Sequence, residues 1–220
     1  MIPMPNNILI VVQARMESTR LPGKVLLPLA GQPMLLWQLA RLSRLPYPLC
    51  VAIPETPANA PLAALCRTHG YAHHCISGNP DDVLHRFAAV ADLYPDAEHI
   101  VRVCGDTPLL DPAVITGIVT HHLNNPWYYY TGLAQEWGDG IADCDVFLRH
   151  TLLLAEREAT KPSVREHINP FFWQQPQRFK CATYTCPFDL SWMRCSVDTK
   201  EDLLHVQMLL EECLDRHGLM

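Results

Sequence analysis

Three cations, Arg15, Arg20 and Lys24, punctuate the stretch Gln13-Ala14-Arg15-Met16-Glu17-Ser18-Thr19-Arg20-Leu21-Pro22-Gly23-Lys24. Positive groups spaced along one segment suit a ligand with several phosphates, because each phosphate oxygen needs its own donor. The segment is not a Walker A loop, since Ser18 and Val25 stand where that motif has Gly and Ser or Thr. No G-x-G-x-x-G occurs either. A basic surface loop with merely solvated charges is the competing reading. A second centre of interest is Cys104-Gly105-Asp106-Thr107-Pro108. Asp106 offers a carboxylate to a metal ion, although Gly-Asp-x-Pro also makes a stable turn with no ligand.

The elements around these groups decide where they sit. Ile8-Leu9-Ile10-Val11-Val12 is an apolar, mostly β-branched run, which predicts a buried strand of a parallel sheet. Pro33 opens a helix with leucines at 35, 36, 39 and 42. Strands are predicted at residues 49–53, 73–77 and 100–103, and helices at residues 62–69, closed by Gly70, and from Asp81 or Asp82 through Ala91. Asp111-Pro112 starts another helix. This alternation predicts an α/β fold with a mostly parallel central sheet and helices on both faces. In such sheets ligands bind outside the carboxyl ends of the strands, the rim to which both the cationic loop and Asp106 belong. The second half is less regular, with strands predicted at residues 127–131, 145–147, 180–185 and 194–197. A helix is predicted from Arg149 to Glu158, and a last one from Asp198 or Thr199.

Composition narrows the function classes. With 49% hydrophobic and 18% charged residues the chain is globular. A formal charge of −6 argues against a nucleic-acid partner, while a small nucleotide can still bind local cations. Residues 1–7 are short and proline-broken, unlike a secretory leader, and no apolar run reaches membrane-spanning length. Nine cysteines without a C-x-x-C pair predict reduced thiols and a cytoplasmic protein. Cys66, His69, His73, His74 and Cys75 lack standard zinc-finger spacing. Tyr128-Tyr129-Tyr130 suits strand packing or a subunit contact better than base stacking.

From Ala14 to Leu26 the chain resembles the signature of the sugar cytidylyltransferases, approximately A-R-x-x-S-T-R-L-P-G-K-x-L, and Gly31-Gln32-Pro33-Met34 is similar to its G-K-P-M continuation. The acylneuraminate cytidylyltransferase-like, spore-coat branch is the nearest match, and the likeness runs through nearly the whole chain. It implies a Rossmann-like nucleotide-diphospho-sugar transferase fold spanning residues 1–220 as one domain. It also implies transfer of CMP from CTP to a small acidic sugar with release of pyrophosphate, in surface polysaccharide synthesis. Alternatives are another nucleotide, a polyol-phosphate acceptor, or a binding protein without turnover.

Carried over residue by residue, Arg15, Arg20 and Lys24 would clamp the triphosphate, with Ala14 and Ser18 beside the nucleotide. Asp106, in a segment similar to G-D-x-P-L, and Asp198, in Val197-Asp198-Thr199-Lys200-Glu201-Asp202-Leu203, would hold magnesium. Asp198 has a bland reading too, because Thr199 and Asp202 have capping-box spacing and either Asp198 or Thr199 can cap the last helix. Arg86, in a segment like D-V-L-x-R-[YF], would touch the nucleotide, or else pair with Asp82 on an exposed helix face. Arg102 reads as a structural strand-end residue that can also face the nucleotide. Arg165-Glu166-His167-Ile168-Asn169-Pro170 resembles R-E-H-[VI]-x-P, giving Arg165 for the sugar carboxylate and His167 for its hydroxyl. Residues 140–147 depart from the family's G-[LI]-D-x-E-[VA]-F: Ala142 is inserted, and Asp145, expected at the sugar, replaces Glu. Family members commonly form homodimers, and the irregular second half offers a contact.

Overall fold

The computed structural model describes residues 7–217, so the leader reading of residues 1–7 lies, Asn7 apart, outside the described residues. β1 (Ile8–Gln13) divides its buried side chains by parity, with Ile8, Ile10 and Val12 in one core cluster and Leu9 and Val11 in the other. A strand covered on both faces needs such a continuous apolar run. The cationic loop follows, closing in a 3-10 turn at Lys24–Leu26 and a short hairpin of β2 (Pro28–Leu29) and β3 (Gln32–Pro33). Then come α1 (Met34–Leu42), β4 (Leu49–Pro54), α2 (Ala60–Thr68), β5 (His73–Ile76), α3 (Val83–Leu93), β6 (His99–Cys104) and α4 (Pro112–Leu123). The second half holds β7 (Tyr130–Leu133), β8 (Cys144–Leu148), α5 (Arg149–Glu158), α6 (Pro162–His167), α7 (Pro170–Trp173), β9 (Cys181–Tyr184) and α8 (Lys200–His217).

Seven strands form one sheet in the order β5-β4-β1-β6-β8-β7-β9. β5, β4, β1 and β6 are mutually parallel, β8 is antiparallel to β6 and β7, and β9 is parallel to β7. Helices α1, α2, α4 and α8 pack on one face, and α3, α5, α6 and α7 on the other. The chain moves outward from β1 through β4 to β5, then returns to lay β6 against the opposite flank of β1. The order therefore reverses between β1 and β6, which is where a crevice opens at the carboxyl rim of such a sheet.

Local chemistry fixes the helix ends. Asp82 caps α3 by accepting from the His85 amide at 3.0 Å, and Asp111 caps α4 by accepting from Ala113 at 2.8 Å. Two strand expectations need correction. Residues 194–197 form only an isolated bridge, Arg194 to Asp139. Their amides are divided between two neighbouring loops, Cys195 donating to Asp139 and Val197 to the Asp106 carbonyl, so no ladder grows. The strand expected over residues 127–131 starts only at Tyr130, because the Tyr128 amide turns back to the Asn125 carbonyl.

Candidate active site

At the β1–β6 rim lies a cavity of about 390 Å³. The loop after β1 forms one wall. Its fold is set by local bonds: the Met16 amide donates to Asn59 Oδ1 at 2.9 Å, and the Gly23 amide to the Met16 carbonyl at 2.8 Å. Buried Asn59 and Thr56 also donate to the Glu17 carboxylate. Burial alone would raise the Glu17 pKa, but these bonds, together with a backbone hydrogen bond and the nearby Arg15 charge, hold the group below its usual value. Glu17 thus anchors the loop from behind and leaves the cations facing the cavity.

Gly105 brings the other wall close. Its amide donates to the Gln13 carbonyl at 2.8 Å, and a Cβ there would lie 2.7 Å from that same oxygen. The absence of a side chain lets the β6 end press against the β1 end and sets Asp106 beside the cationic loop. The segment bearing Asp198 arrives through a second close approach. Gly140, at φ +80°, passes where a Cβ would lie 2.1 Å from the Ser196 nitrogen. Only glycine fits that crossing. The Val197 amide then donates to the Asp106 carbonyl at 2.8 Å.

The product of these contacts is a convergence on Lys24. Its buried ammonium donates to Asp106 Oδ2 at 2.8 Å, Asp198 Oδ1 at 2.9 Å and the Val197 carbonyl at 2.8 Å, which uses all its donors. Arg20 approaches Asp198 Oδ2 at 2.7 Å. Two carboxylates separated by more than ninety residues in the chain therefore share one cation. The capping of α8 is done by Thr199 and Asp202: Asp202 accepts from the Asp198 and Thr199 amides at 3.0 and 2.9 Å, and Thr199 Oγ1 accepts from the Asp202 amide. A hydrogen bond from Arg194 is the main cause that holds Asp202 far below the usual carboxylate range. Asp198 is left free to face the cavity.

Of the residues singled out from the sequence, Ala14, Arg15, Ser18, Arg20, Lys24, Arg86, Asp106, His167 and Asp198 all line this cavity. Arg15 pairs with Asp81 and donates to the Pro80 carbonyl. Arg86 is not the exposed partner of Asp82: it is buried and donates to Pro80 at 2.9 Å, with Nε unpartnered. Burial, reinforced by the Arg15 guanidinium, lowers its pKa to about 10, so it stays cationic at neutral pH.

Two expected sugar contacts fall outside the cavity lining. Arg165 is spent on structure, with Nε on Asp82 at 2.6 Å, Nη2 on Glu156 at 2.6 Å and Nη1 on the Glu156 and Ala159 carbonyls. It pins α6 to α3 and α5. Asp145 is buried behind the wall, accepting from Arg102 and from Tyr130 Oη. Sequence reasoning assigned no role to the lining residues Gln13, Cys104 and Glu166. Strand parity could have found the first two, because Gln13 and Cys104 are register partners at the ends of β1 and β6. Burial pushes the Cys104 thiol up to about 12 despite Arg102 beside it, so it is a neutral group.

Cys66 is buried while Cys75 is exposed, and no group of three or more candidate ligands gathers among the described residues. No helix among the described residues is long and apolar enough to cross a membrane.

The profile of the cytidylyltransferase family matches residues 9–217. The spore coat polysaccharide biosynthesis protein SpsF of Bacillus subtilis is 27% identical, over 96% of this chain and 89% of that protein. A 3-deoxy-manno-octulosonate cytidylyltransferase of Psychrobacter sp. is 33% identical over 70% of this chain, and the match spans half of that protein's length. Among solved structures, a cytidylyltransferase from Leptospira borgpetersenii superposes with a TM-score of 0.85 at 27% identity, covering 96% of this chain and 87% of that one. A CMP:2-keto-3-deoxy-manno-octonic acid synthetase complexed with CTP shares the fold, with a TM-score of 0.72 at 16% identity over 93% of this chain and 98% of that one.

Proposed function

The chain belongs to the cytidylyltransferase family, and from that footing we propose that it transfers CMP from CTP to an acidic sugar, releasing pyrophosphate, in the synthesis of a surface polysaccharide. The observation that carries this reading is the convergence of Asp106 and Asp198 on Lys24 at the sheet's switch point. The reaction displaces pyrophosphate at the α-phosphorus, and the charge gathering on the phosphoryl oxygens must be met by fixed cations. Arg15, Arg20 and Lys24 supply them. Each now rests on a carboxylate, so the triphosphate binds by taking over donors already aimed at the cavity. Ala14 and Ser18 border the nucleoside, and Arg86 adds a buried cation on the α3 side. His167, exposed to the cavity, is positioned to orient the attacking hydroxyl of the sugar.

Magnesium fits the acid pair. That ion takes one or two carboxylates plus substrate phosphates rather than a full protein cage, and Asp106 and Asp198 already hold a cation between them in the Lys24 ammonium. Both residues would hold it, and when bound it would neutralise charge on the phosphates. The remaining parts of the reading are a homodimer and a cytoplasmic setting. Phe188 and Trp192, 72% and 76% exposed in the second half, support a contact between copies.

Pyrophosphate release measured with each of the four ribonucleoside triphosphates, magnesium and a panel of sugar acids tests the proposal. CTP-selective release is expected. Release with a different nucleotide only, or binding of CTP without release, overturns it in favour of another transferase or of a binding protein.

A further inference from the structure

Arg102 occupies the β6–β8 side of the cavity, and the triphosphate reading leaves it unused. Its neighbours Val101 and Val103 join the core on one face, so alternation along β6 directs Arg102 to the other, toward α3 and α6. Nη1 donates to Asp145 Oδ2 and to Asn169 Oδ1, both at 2.9 Å. Nη2 has only the Cys104 thiol at 3.7 Å, and Nε is buried with no partner. The ion pair fixes one side of the guanidinium. The Nε–Nη2 edge, the side-on fork that grips a carboxylate with two parallel bonds, has met no oxygen. An incoming anion displaces only the long 3.7 Å contact with Cys104 Sγ there, whereas at Arg15, Arg20 or Lys24 it must displace an ion pair.

The support behind Arg102 is rigid and strained. Asp145 Oδ1 accepts from Tyr130 Oη at 2.7 Å, and the Tyr130 ring stacks on Phe172 at 5.7 Å. Burial opposes the Arg102 charge, and the Asp145 carboxylate that accepts from it supports that charge. Asn169 is placed by an unusual turn. Ile168, fully buried, has φ 63° and ψ −60°, and the Asn169 amide donates to the His167 carbonyl at 2.7 Å. That is a γ-turn with positive φ at a β-branched residue, a conformation that costs roughly 1–3 kcal/mol. It sets His167 at the cavity and Asn169 onto Arg102 from the two sides of Ile168.

We infer that Arg102 is the receptor for the acceptor's carboxylate, with Glu166 and His167 of α6 contacting the acceptor's hydroxyls from the same side of the cavity. The inference rests on the proposed reaction for the identity of the acceptor as an acid, and it gives Arg102 the part that the sequence had given to Arg165. A neutral acceptor would leave the fork unpaired in a largely buried site, which is a strong basis for rejecting it.

The test is equilibrium binding, which does not depend on turnover. Enzyme saturated with a non-transferable CTP analogue is titrated calorimetrically with 3-deoxy-manno-octulosonate, with N-acetylneuraminate and with the carboxamide of each. Wild-type enzyme is expected to bind at least one of the acids, and its carboxamide at least tenfold more weakly. Arg102→Lys, which keeps the charge beside Asp145 but removes the fork, is expected to lose at least tenfold in affinity for the acid and none for the amide. Affinity for the CTP analogue should stay within twofold. Equal binding of acid and amide to wild type, no binding of either acid, or undiminished acid binding by R102K would each overturn the receptor. The acid–amide comparison decides alone if R102K does not fold. Arg102-dependent acid binding without pyrophosphate release from CTP would sink the proposed reaction and leave the receptor standing; CTP-dependent transfer to an acid that R102K binds as tightly as wild type would do the reverse.

Discussion

The parallel half of the sheet, β5-β4-β1-β6, and the antiparallel half, β8-β7-β9, build their shares of the cavity in different ways. On the parallel side the cations come from one uninterrupted loop, and each lies in an ion pair with a nearby acid. Where the halves meet, Arg102 of β6 joins Asp145 and Tyr130 of the antiparallel strands and Asn169 of a turn in a buried network that leaves the Arg102 Nε without a partner. The first arrangement suits a polyanion that replaces several exchangeable partners at once. The second holds one unpaired donor in a fixed frame, which suits the proposed selection of a single acceptor group. On the proposed reading, affinity for the nucleotide and choice of acceptor are lodged in different parts of one crevice.

The largest effect that sharpens this contrast is expected at Lys24. Lys24→Met removes the one cation shared by Asp106 and Asp198, and should lower kcat by about 10³-fold, the scale for losing a charged stabiliser of the transition state. Pyrophosphate release under saturating CTP measures it. A drop of less than tenfold would show that the parallel side does not carry the phosphoryl chemistry.

Legibility in the sequence divides along the same line. Ile8-Leu9-Ile10-Val11-Val12 announces β1 because a strand buried on both faces needs an unbroken apolar run, and Asp111-Pro112 announces α4 because capping is local. The cationic loop is likewise contiguous. Residues 194–197 look equally strand-like, yet their amides are claimed by Asp139 and Asp106, partners that no local pattern reveals. Arg165 and Arg102 are indistinguishable as side chains. What separates them is that Asp82 and Glu156 happen to saturate the first, while the second keeps a buried Nε with no partner. The metal reading of Asp198 faced a capping alternative, and here the structure shows which residues cap: the Asp202 carboxylate and the Thr199 hydroxyl take the amides at the start of α8.

A smaller, selective effect is expected at Asn169. Its Oδ1 holds Arg102 without touching Asp106, Asp198 or the cationic loop. Asn169→Ala should raise KM for the acidic acceptor about tenfold, since a receptor group left loose loses its pre-set geometry. KM for CTP should change less than twofold. Equal changes in both constants would erase the division of labour between the two halves.

The smallest effect is a stability change at Asp143, next to the second half's acids. Asp106 and Asp198 face cations, but Asp143 is surrounded by acids: burial first, then the Asp139 charge, raises its pKa from 3.8 to about 7. A hydrogen bond from the Gly140 amide at 2.9 Å offsets this only in part. A folded-state pKa above the unfolded one means that the native state holds the proton more tightly. Its contribution to stability is then full below about pH 4 and is lost as pH rises toward 7. Asp143→Asn retains an acceptor for Gly140 and cannot ionise. The variant should match wild type near pH 4 and exceed it at pH 8, by about 2–4 °C in Tm for each 1 kcal/mol relieved. Thermal unfolding across that range decides the matter. A Tm advantage that shrinks with rising pH would mean that Asp143 is paired as securely as Asp106 and Asp198, and that the two halves hold their acids alike.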